Sequence, residues 1–227
     1  MRFNNLLNRL RIRKIYAALI IIILILLLAI VLLLRSFFHT PSPDEVFNDY
    51  LSALQDGRYN DAVRHILPSE QDAWYEYFSE IAQDESALTS LADKLQDELV
   101  AELVSQSTLA DDYCTLRYEL TVADAEAMLK KVRAEAESGL IDMSDPDVVR
   151  VSKDPESTLL YYIEDHFSDY ESFLRQEPVV INFRLEGNVF TREWYIEPDE
   201  ERHALLSGNV RKAAEDVFRR PLKLPKQ

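Results

Sequence analysis

The sequence is poor in the residues that build covalent cross-links, phosphate-binding loops and metal centres. Cys114 is the single cysteine, so no intramolecular disulfide can form, and stability without disulfides outside the cytoplasm fits a bacterial protein. The four glycines form no Gly-rich phosphate loop. The four histidines lie far apart, and no paired Cys/His spacing occurs. We therefore expect no cofactor and no bound transition metal.

Catalytic motifs are also missing. The chain contains no G-x-S-x-G, no S-x-x-K and no HExxH motif, which predicts that it is not an enzyme. The acidic stretch with Asp142, Asp145 and Asp147 is an alternative weak Ca²⁺ site. It lacks the glycine and the distal glutamate of an EF-hand, so we interpret it as a solvated loop.

One long run, from Ile15 to Leu34, contains no charged residue. At about 1.5 Å per residue such a helix spans about 30 Å, which predicts a single transmembrane signal anchor in a lipid bilayer. Five basic residues precede the run and Arg35 alone follows it closely, so the N-terminus is expected in the cytoplasm. Tyr16 would lie at the inner interface, with Phe37 and Phe38 at the outer one.

The distribution of charge and apolar residues predicts five segments. Residues 36–218 carry 15 basic residues against 40 acidic ones, a net charge of −25, which excludes nucleic acid as a partner. We expect a single-pass protein of the cell membrane with an extracellular C-terminal domain. The segments are a basic cytoplasmic segment (1–14), the transmembrane anchor (15–34), a connector (35–41), an extracytoplasmic α+β domain (42–218) and a basic flexible tail (219–227).

Helical periodicity dominates the first half of the domain. Ser42-Pro43-Asp44-Glu45 predicts a capped helix start, and Gly57 predicts the end of that helix. A leucine stripe predicts a further helix over about residues 85–104. A last helix is predicted over about residues 199–218, with a break at Ser207-Gly208-Asn209.

Alternating patterns predict the strands. Residues 113–122 alternate with Cys114 on the apolar side, which predicts a strand with a buried thiol. Gly187-Asn188 predicts a two-residue hairpin turn that pairs Phe183 with Arg192 and Ile181 with Trp194. One face of the hairpin is apolar and the other polar. The predicted fold class is α+β: a single transmembrane helix, then a helix-rich domain with a small curved antiparallel sheet.

Three stretches, SPDEVFNDYLSALQDGRYNDAVRHILP, YCTLRYELTVADAEAML and VFTREWYIEPDEERHALLSG, carry a resemblance over about residues 42–210. The chain resembles small membrane-anchored extracytoplasmic proteins of Gram-positive bacteria with a nuclear-transport-factor-two-like (cystatin-like cone) domain. The resemblance implies a curved sheet wrapped around a helix, with a pocket. Related cones act as isomerases, ligand binders or scaffolds.

Two functional interpretations follow. The first is a membrane-anchored, non-enzymatic binding or scaffold domain that contacts membrane or cell-envelope proteins. The alternative is a cone pocket that binds or transforms a small, anionic molecule. Arg192 is the one charge on the hairpin's apolar face and would bind the anionic group of the ligand in this pocket. Phe183, Trp194 and Ile181 would lie beside it. A competing interpretation pairs the Arg192 guanidinium with an acid at the rim of the domain.

Overall fold

The computed structural model describes residues 21–30, 40–145, 154–187 and 192–224. The chain divides into two compact units. The first comprises residues 1–40 and 187–192, and the second comprises residues 41–186 and 193–227.

The first unit contains a helix over residues 21–30, whose isoleucine and leucine side chains are 46–61% exposed. Within the described ranges, no helix is long and apolar enough to cross a membrane. The single transmembrane helix in the predicted fold class is therefore wrong. Its predicted ends, Ile15 and Leu34, and the interfacial Tyr16, Phe37 and Phe38 lie outside the described residues.

The second unit is an α+β domain built on an antiparallel sheet. Two short 3₁₀ turns, Phe167–Asp169 and Glu171–Phe173, lead into its third strand. The other elements, in chain order, are α1 (Pro43–Gln55), α2 (Tyr59–Val63), α3 (Gln71–Gln83), α4 (Ala87–Asp97), β1 (Val100–Ala110), β2 (Tyr113–Ala123), α5 (Ala125–Glu137), α6 (Pro155–Asp165), β3 (Leu174–Glu186), β4 (Glu193–Ile196), α7 (Glu200–Leu205) and α8 (Val210–Phe218).

Helix α1 begins with the capping box that the sequence predicts. The Ser42 hydroxyl accepts a hydrogen bond from the Glu45 amide at 3.2 Å, and the Glu45 carboxylate accepts one from the Ser42 amide at 2.6 Å. Both bonds satisfy amides that have no partner within the helix. The apolar face of α1 is buried: Val46, Phe47, Tyr50, Leu51 and Leu54.

The sheet is antiparallel throughout, with strand order β1-β2-β3-β4. Strands β2 and β3 pair along their length, from Tyr113 opposite Arg184 to Ala123 opposite Leu174. Cys114 is buried, as predicted, on the face that packs against α1, whereas Arg117 and Glu119 are exposed on the other face. The α+β part of the fold prediction is therefore confirmed. One face of the sheet is exposed to solvent, and the other is covered by helices.

The predicted helix over residues 85–104 is wrong in its second half. Helix α4 ends at Asp97, and Val100–Ala110 form the edge strand β1 against β2. The helical spacing of leucines runs on into the strand, but there it no longer marks one buried face. Leu99 is buried whereas Leu103 is 43% exposed. The ladder with β2 supplies backbone hydrogen bonds that periodicity within one segment does not reveal.

The predicted hairpin register is also wrong. Phe183 lies opposite Ile196 and Leu185 opposite Trp194, so residues 187–192 connect the strands instead of a two-residue turn. The displacement is even, so the strand residues keep their predicted faces, with Ile181, Phe183 and Ile196 on the covered side. Bonds outside the hairpin hold β4 in this register. The Ile196 amide donates to the His65 carbonyl at 2.8 Å, and the Leu67 amide donates to the Ile196 carbonyl at 3.1 Å.

Two buried clusters form the core of this unit. One lies between α1, α3 and the covered face of the sheet, where the rings of Phe47 and Tyr118 lie 4.3 Å apart. The other joins α4, α5, α6 and α8. Its most buried members include Leu91, Leu129, Val132, Leu159, Ile163 and Val210.

The last helical stretch breaks where the sequence predicts. Gly208, between α7 and α8, has φ +63°, and a Cβ atom there would lie 2.5 Å from the Ala123 carbonyl oxygen. The next residue, Asn209, is also left-handed, with φ 56°. Only glycine permits both this backbone conformation and this close approach to the end of β2.

We predict that Gly208→Ala lowers the free energy of unfolding by roughly 3 kcal/mol, because left-handed strain and the clash with Ala123 add together. Gly57→Ala is the matched control. Gly57 has φ +65° and open space around its Cα, so strain alone should cost roughly 1 kcal/mol. Urea unfolding of both variants measures the difference. Equal losses would show that the contact with Ala123 does not constrain the chain.

Candidate functional site

The second unit contains a groove of about 610 Å³ between α3, α4, α7 and α8. This volume lies within the range of small-molecule sites. Three kinds of side chain line the groove: apolar and aromatic ones, hydrogen-bonding ones, and charged ones near its rim.

Aromatic side chains form one wall of the groove. The rings of Tyr59 and Phe78 are stacked, with centroids 5.3 Å apart and planes 13° apart. Tyr77 lies one position before Phe78 on α3 and remains 37% exposed. Ile81 and Leu205 complete the apolar lining. Phe78 itself is buried, so the partly exposed rings are those of Tyr59 and Tyr77, and a ligand that covers their apolar surface gains free energy.

His203, on α7, also lines the groove and is packed among aromatic rings. Its imidazole lies 5.1–5.5 Å from the rings of Trp74, Tyr77 and Phe78, in edge-on geometry. Nδ1 lies 3.2 Å from the Tyr50 hydroxyl of α1, so a hydrogen bond joins α1 to α7. Burial among these rings lowers the pKa of His203 to about 4. The imidazole is therefore neutral near pH 7.

Asp93 is an acidic group on the α4 side of the groove. The Tyr59 hydroxyl donates a hydrogen bond to Asp93 Oδ1 at 3.3 Å. Burial raises the pKa of Asp93, and this hydrogen bond offsets only part of the effect. Burial and the neighbouring Asp93 charge raise the pKa of Tyr59 to about 12, so Tyr59 stays protonated and remains the donor.

A second group of polar side chains joins α8 to α4 and to Asp84, the residue that follows α3. The buried Thr89 hydroxyl donates to Asp84 Oδ2 at 2.7 Å and accepts from Arg211 Nη2 at 3.0 Å. Arg211 Nη2 also lies 3.4 Å from Asp84 Oδ2. Hydrogen bonds from Thr89 and Ser86 lower the pKa of Asp84, so it stays ionised. The charge of Arg211 is thus largely compensated within the domain.

The structure brings three of the four predicted ligand residues together. Ile181, Phe183 and Trp194 share the covered face of the sheet, where Ile181 and Phe183 are buried and Trp194 is partly buried. The space beside Ile181 amounts to only about 30 Å³, room for about one water molecule. Arg192 precedes β4, lies outside the strand ladder and is exposed. Its predicted role in anion binding remains a prediction.

The groove residues were not recognisable as a site in the sequence. Thr89, Asp93 and Gln96 follow a helical spacing on α4, but a polar stripe of this kind is equally typical of a solvated face. The helical spacing of the aromatic residues of α3 is typical of a core face, and Trp74 and Phe78 are buried. His203 gave no signal because its aromatic neighbours lie far from it in sequence.

Within the described ranges, no group of three or more His, Cys, Asp or Glu side chains is arranged to hold a metal ion. Asp142, named above for Ca²⁺, accepts hydrogen bonds from the Ser144 amide at 2.9 Å and the Ser144 hydroxyl at 2.6 Å. Asp147 lies outside the described residues.

No protein-family model matches the chain. No curated protein matches it either. Among solved structures, it is similar to a SEC-C motif containing protein from Psychrobacter arcticus (11% identity, TM-score 0.35, 70% of this chain and 60% of that one). It is also similar to a putative lipoprotein from Bacillus subtilis (13% identity, TM-score 0.35, 74% of this chain and 46% of that one). The chain thus spans about half the length of these proteins, and similarity at this TM-score supports no conclusion about function.

We predict that His203 makes the stability of the protein depend on pH between about 6.5 and about 4. In this window the unfolded chain, with a histidine pKa of 6.5, binds a proton that the folded protein does not, so stability falls as the pH falls. The loss amounts to at most about 3 kcal/mol.

Chemical denaturation of the wild type and of His203→Gln at a series of pH values measures this effect. The variant should lack this part of the slope. The exposed His166 provides the control, and His166→Gln should keep the wild-type slope. Identical slopes for His203→Gln and the wild type would contradict the assignment.

Proposed function

We propose that this chain is a non-enzymatic binding protein of the cell envelope, and that the groove between α3, α4, α7 and α8 is its ligand site. The observation that carries the proposal is the groove itself: about 610 Å³, lined by the stacked rings of Tyr59 and Phe78 and by hydrogen-bonding groups of α4. A mostly apolar concavity with a few convergent polar groups is the usual form of a small-molecule site.

Binding explains the polar groups of the groove better than catalysis does. Thr89, Asp84 and Arg211 satisfy one another, which orients them but leaves no activated nucleophile among these three side chains. His203 is kept neutral, and Nδ1 lies within hydrogen-bond distance of Tyr50. These groups suit recognition and positioning of a ligand.

The proposed location at the cell envelope has its support in the sequence. An apolar run with basic residues before it precedes a domain with a net charge of −25. Basic segments are attracted to the anionic inner leaflet, whereas an acidic domain is repelled by it. Membership of the cone-type family, which the sequence resembles, is part of the same proposal.

The ligand site is tested by filling it. Ala92 lines the groove on α4, and Ala92→Trp should occlude the groove. A ligand found by thermal-shift screening should raise the Tm of the wild type by roughly 5–10 °C at a hundredfold excess over its Kd. The shift should disappear in Ala92→Trp and persist in Ala73→Trp, an exposed α3 position outside the groove lining. Equal shifts in both variants would refute the groove as the site.

A scaffold role is the second candidate, and strand β1 favours it. Among the described strands, β1 lies at the edge and pairs with β2 alone. It is 11 residues long and carries one charge, Glu102. Val104 and Leu109 are 55% and 67% exposed. Edges this long and apolar are usually blocked by charge, so β1 suits an extended, uncharged strand of an envelope protein.

We predict that a photo-crosslinker at Ser107 forms a discrete adduct in cells with another envelope protein. Val104→Lys combined with Leu109→Lys should abolish the adduct, because charged side chains disfavour strand addition. Val180→Lys, on the exposed face of β3, should leave it unchanged. An adduct with a second copy of this chain, or one insensitive to the β1 changes, would contradict the scaffold role.

A further inference from the structure

We infer that the groove takes an amphipathic cation, meaning a ligand with an apolar body and an ammonium or guanidinium group that Asp93 binds as counter-ion. The inference rests on the proposed function, because it names the ligand class of the same groove. Its support comes from the partners of Asp93, the charges around the groove, and the aromatic wall beside Asp93.

The first observation concerns the partners of Asp93. Its Oδ1 accepts one hydrogen bond, from the neutral Tyr59 hydroxyl, and in the described part of the chain its carboxylate forms no ion pair. Lys94, the next residue, pairs with Glu98 at 3.2 Å. A carboxylate accepts several hydrogen bonds and is bound most strongly by a charged donor. Asp93 therefore has acceptor capacity that faces the groove.

The second observation is the balance of charge along the groove. Four carboxylates line it, against two basic side chains, Arg211 and Lys212. Arg211 already contacts Asp84 and Thr89, and His203 is neutral. The potential in the groove is therefore negative, and the surrounding domain adds a net charge of −25 that attracts cations. The four carboxylates are Asp93, Glu200, Glu201 and Glu215.

The third observation is the position of the aromatic rings. Tyr59 donates to Asp93 and stacks on the buried Phe78, so a cation bound to the carboxylate lies beside the Tyr59 ring. Aromatic faces attract ammonium and guanidinium groups, and they do so more strongly when water is displaced. Ile81 and Leu205 extend the lining with apolar surface that covers the remainder of the ligand.

The protonation of Asp93 is consistent with this ligand class. Burial raises the pKa of its carboxyl, and the nearby charges of Asp97 and Glu164 act in the same direction, whereas the Tyr59 hydrogen bond and the charge of Arg211 lower it. A bound cation favours the ionised form. Binding of a cation should therefore release protons when the pH approaches the pKa of Asp93, and its affinity should fall as the pH is lowered.

An anionic ligand fits this groove less well. Arg211 Nη2 already contacts Thr89 and Asp84, so an anion would be left with the remaining N–H groups of Arg211 and with the exposed Lys212. It would also lie beside four carboxylates. Removing the Arg211 contacts would leave the buried Thr89 hydroxyl with one hydrogen bond fewer, which costs free energy.

The experiment compares three eight-carbon phenyl probes on the full-length protein: phenethylamine, phenylacetate and 2-phenylethanol. Binding is measured by titration with backbone amide NMR shifts at millimolar probe. We expect phenethylamine to bind at least tenfold more tightly than the other two. Asp93→Asn should weaken the binding of phenethylamine at least tenfold. Asp72→Asn makes the same change in charge outside the groove lining and should leave the affinity within twofold of wild type.

Each result bears on a different step. Equal or tighter binding of the anionic or neutral probe, lost in Ala92→Trp, would overturn the cation class while the groove stands as the ligand site. Unchanged binding of phenethylamine to Asp93→Asn would overturn the role of Asp93. If Asp93→Asn lowers stability, a pH series on the wild type serves as the second measurement. A phenethylamine affinity that does not fall at acidic pH would also overturn the role of Asp93. Failure of all three probes would refute the groove proposal as well.

Discussion

The packing of α1 on the sheet is the interaction on which the rest of the domain depends. The rings of Phe47 and Tyr118 lie 4.3 Å apart, and the Tyr118 hydroxyl donates to Asp44 Oδ1 at 2.9 Å. Tyr118 is 1% exposed, so this bond satisfies a hydroxyl that water does not reach. About one turn beyond Phe47, the same helix contacts α7 through Tyr50 and His203. The position of α7, and with it one wall of the groove, follows from α1.

The groove lies where the helices around α1 meet those of the second cluster. Helix α3 packs through Trp74 and Phe78 on the first cluster, whereas α4 and α8 pack through Leu91 and Val210 on the second. The break at Gly208 separates α7 from α8. Neither cluster fills the space between these helices completely, so aromatic and polar side chains remain accessible there. The proposed ligand site thus lies at the boundary of the two buried clusters.

Local signals predicted several elements well. The capping box at Ser42, the end of α1 just before Gly57, the strand with Cys114 and the break at Gly208 each depend on residues a few positions apart. The faces of the hairpin were also predicted correctly. Its register was wrong, because Ile196 is held by backbone bonds with His65 and Leu67. Strand β1 was missed for a related reason, since its pairing with β2 outweighs the helical stripe that runs into it.

The sequence by itself determined the α+β character of the domain, its charge segregation and the polarity of each strand face, because these follow from composition and from short-range periodicity. Only the tertiary structure decided the strand register, the edge position of β1 and the meeting of Tyr59, Asp93 and His203 at one groove. These features join residues that lie far apart in the chain. Their energies depend on which surfaces come into contact, which local patterns do not specify.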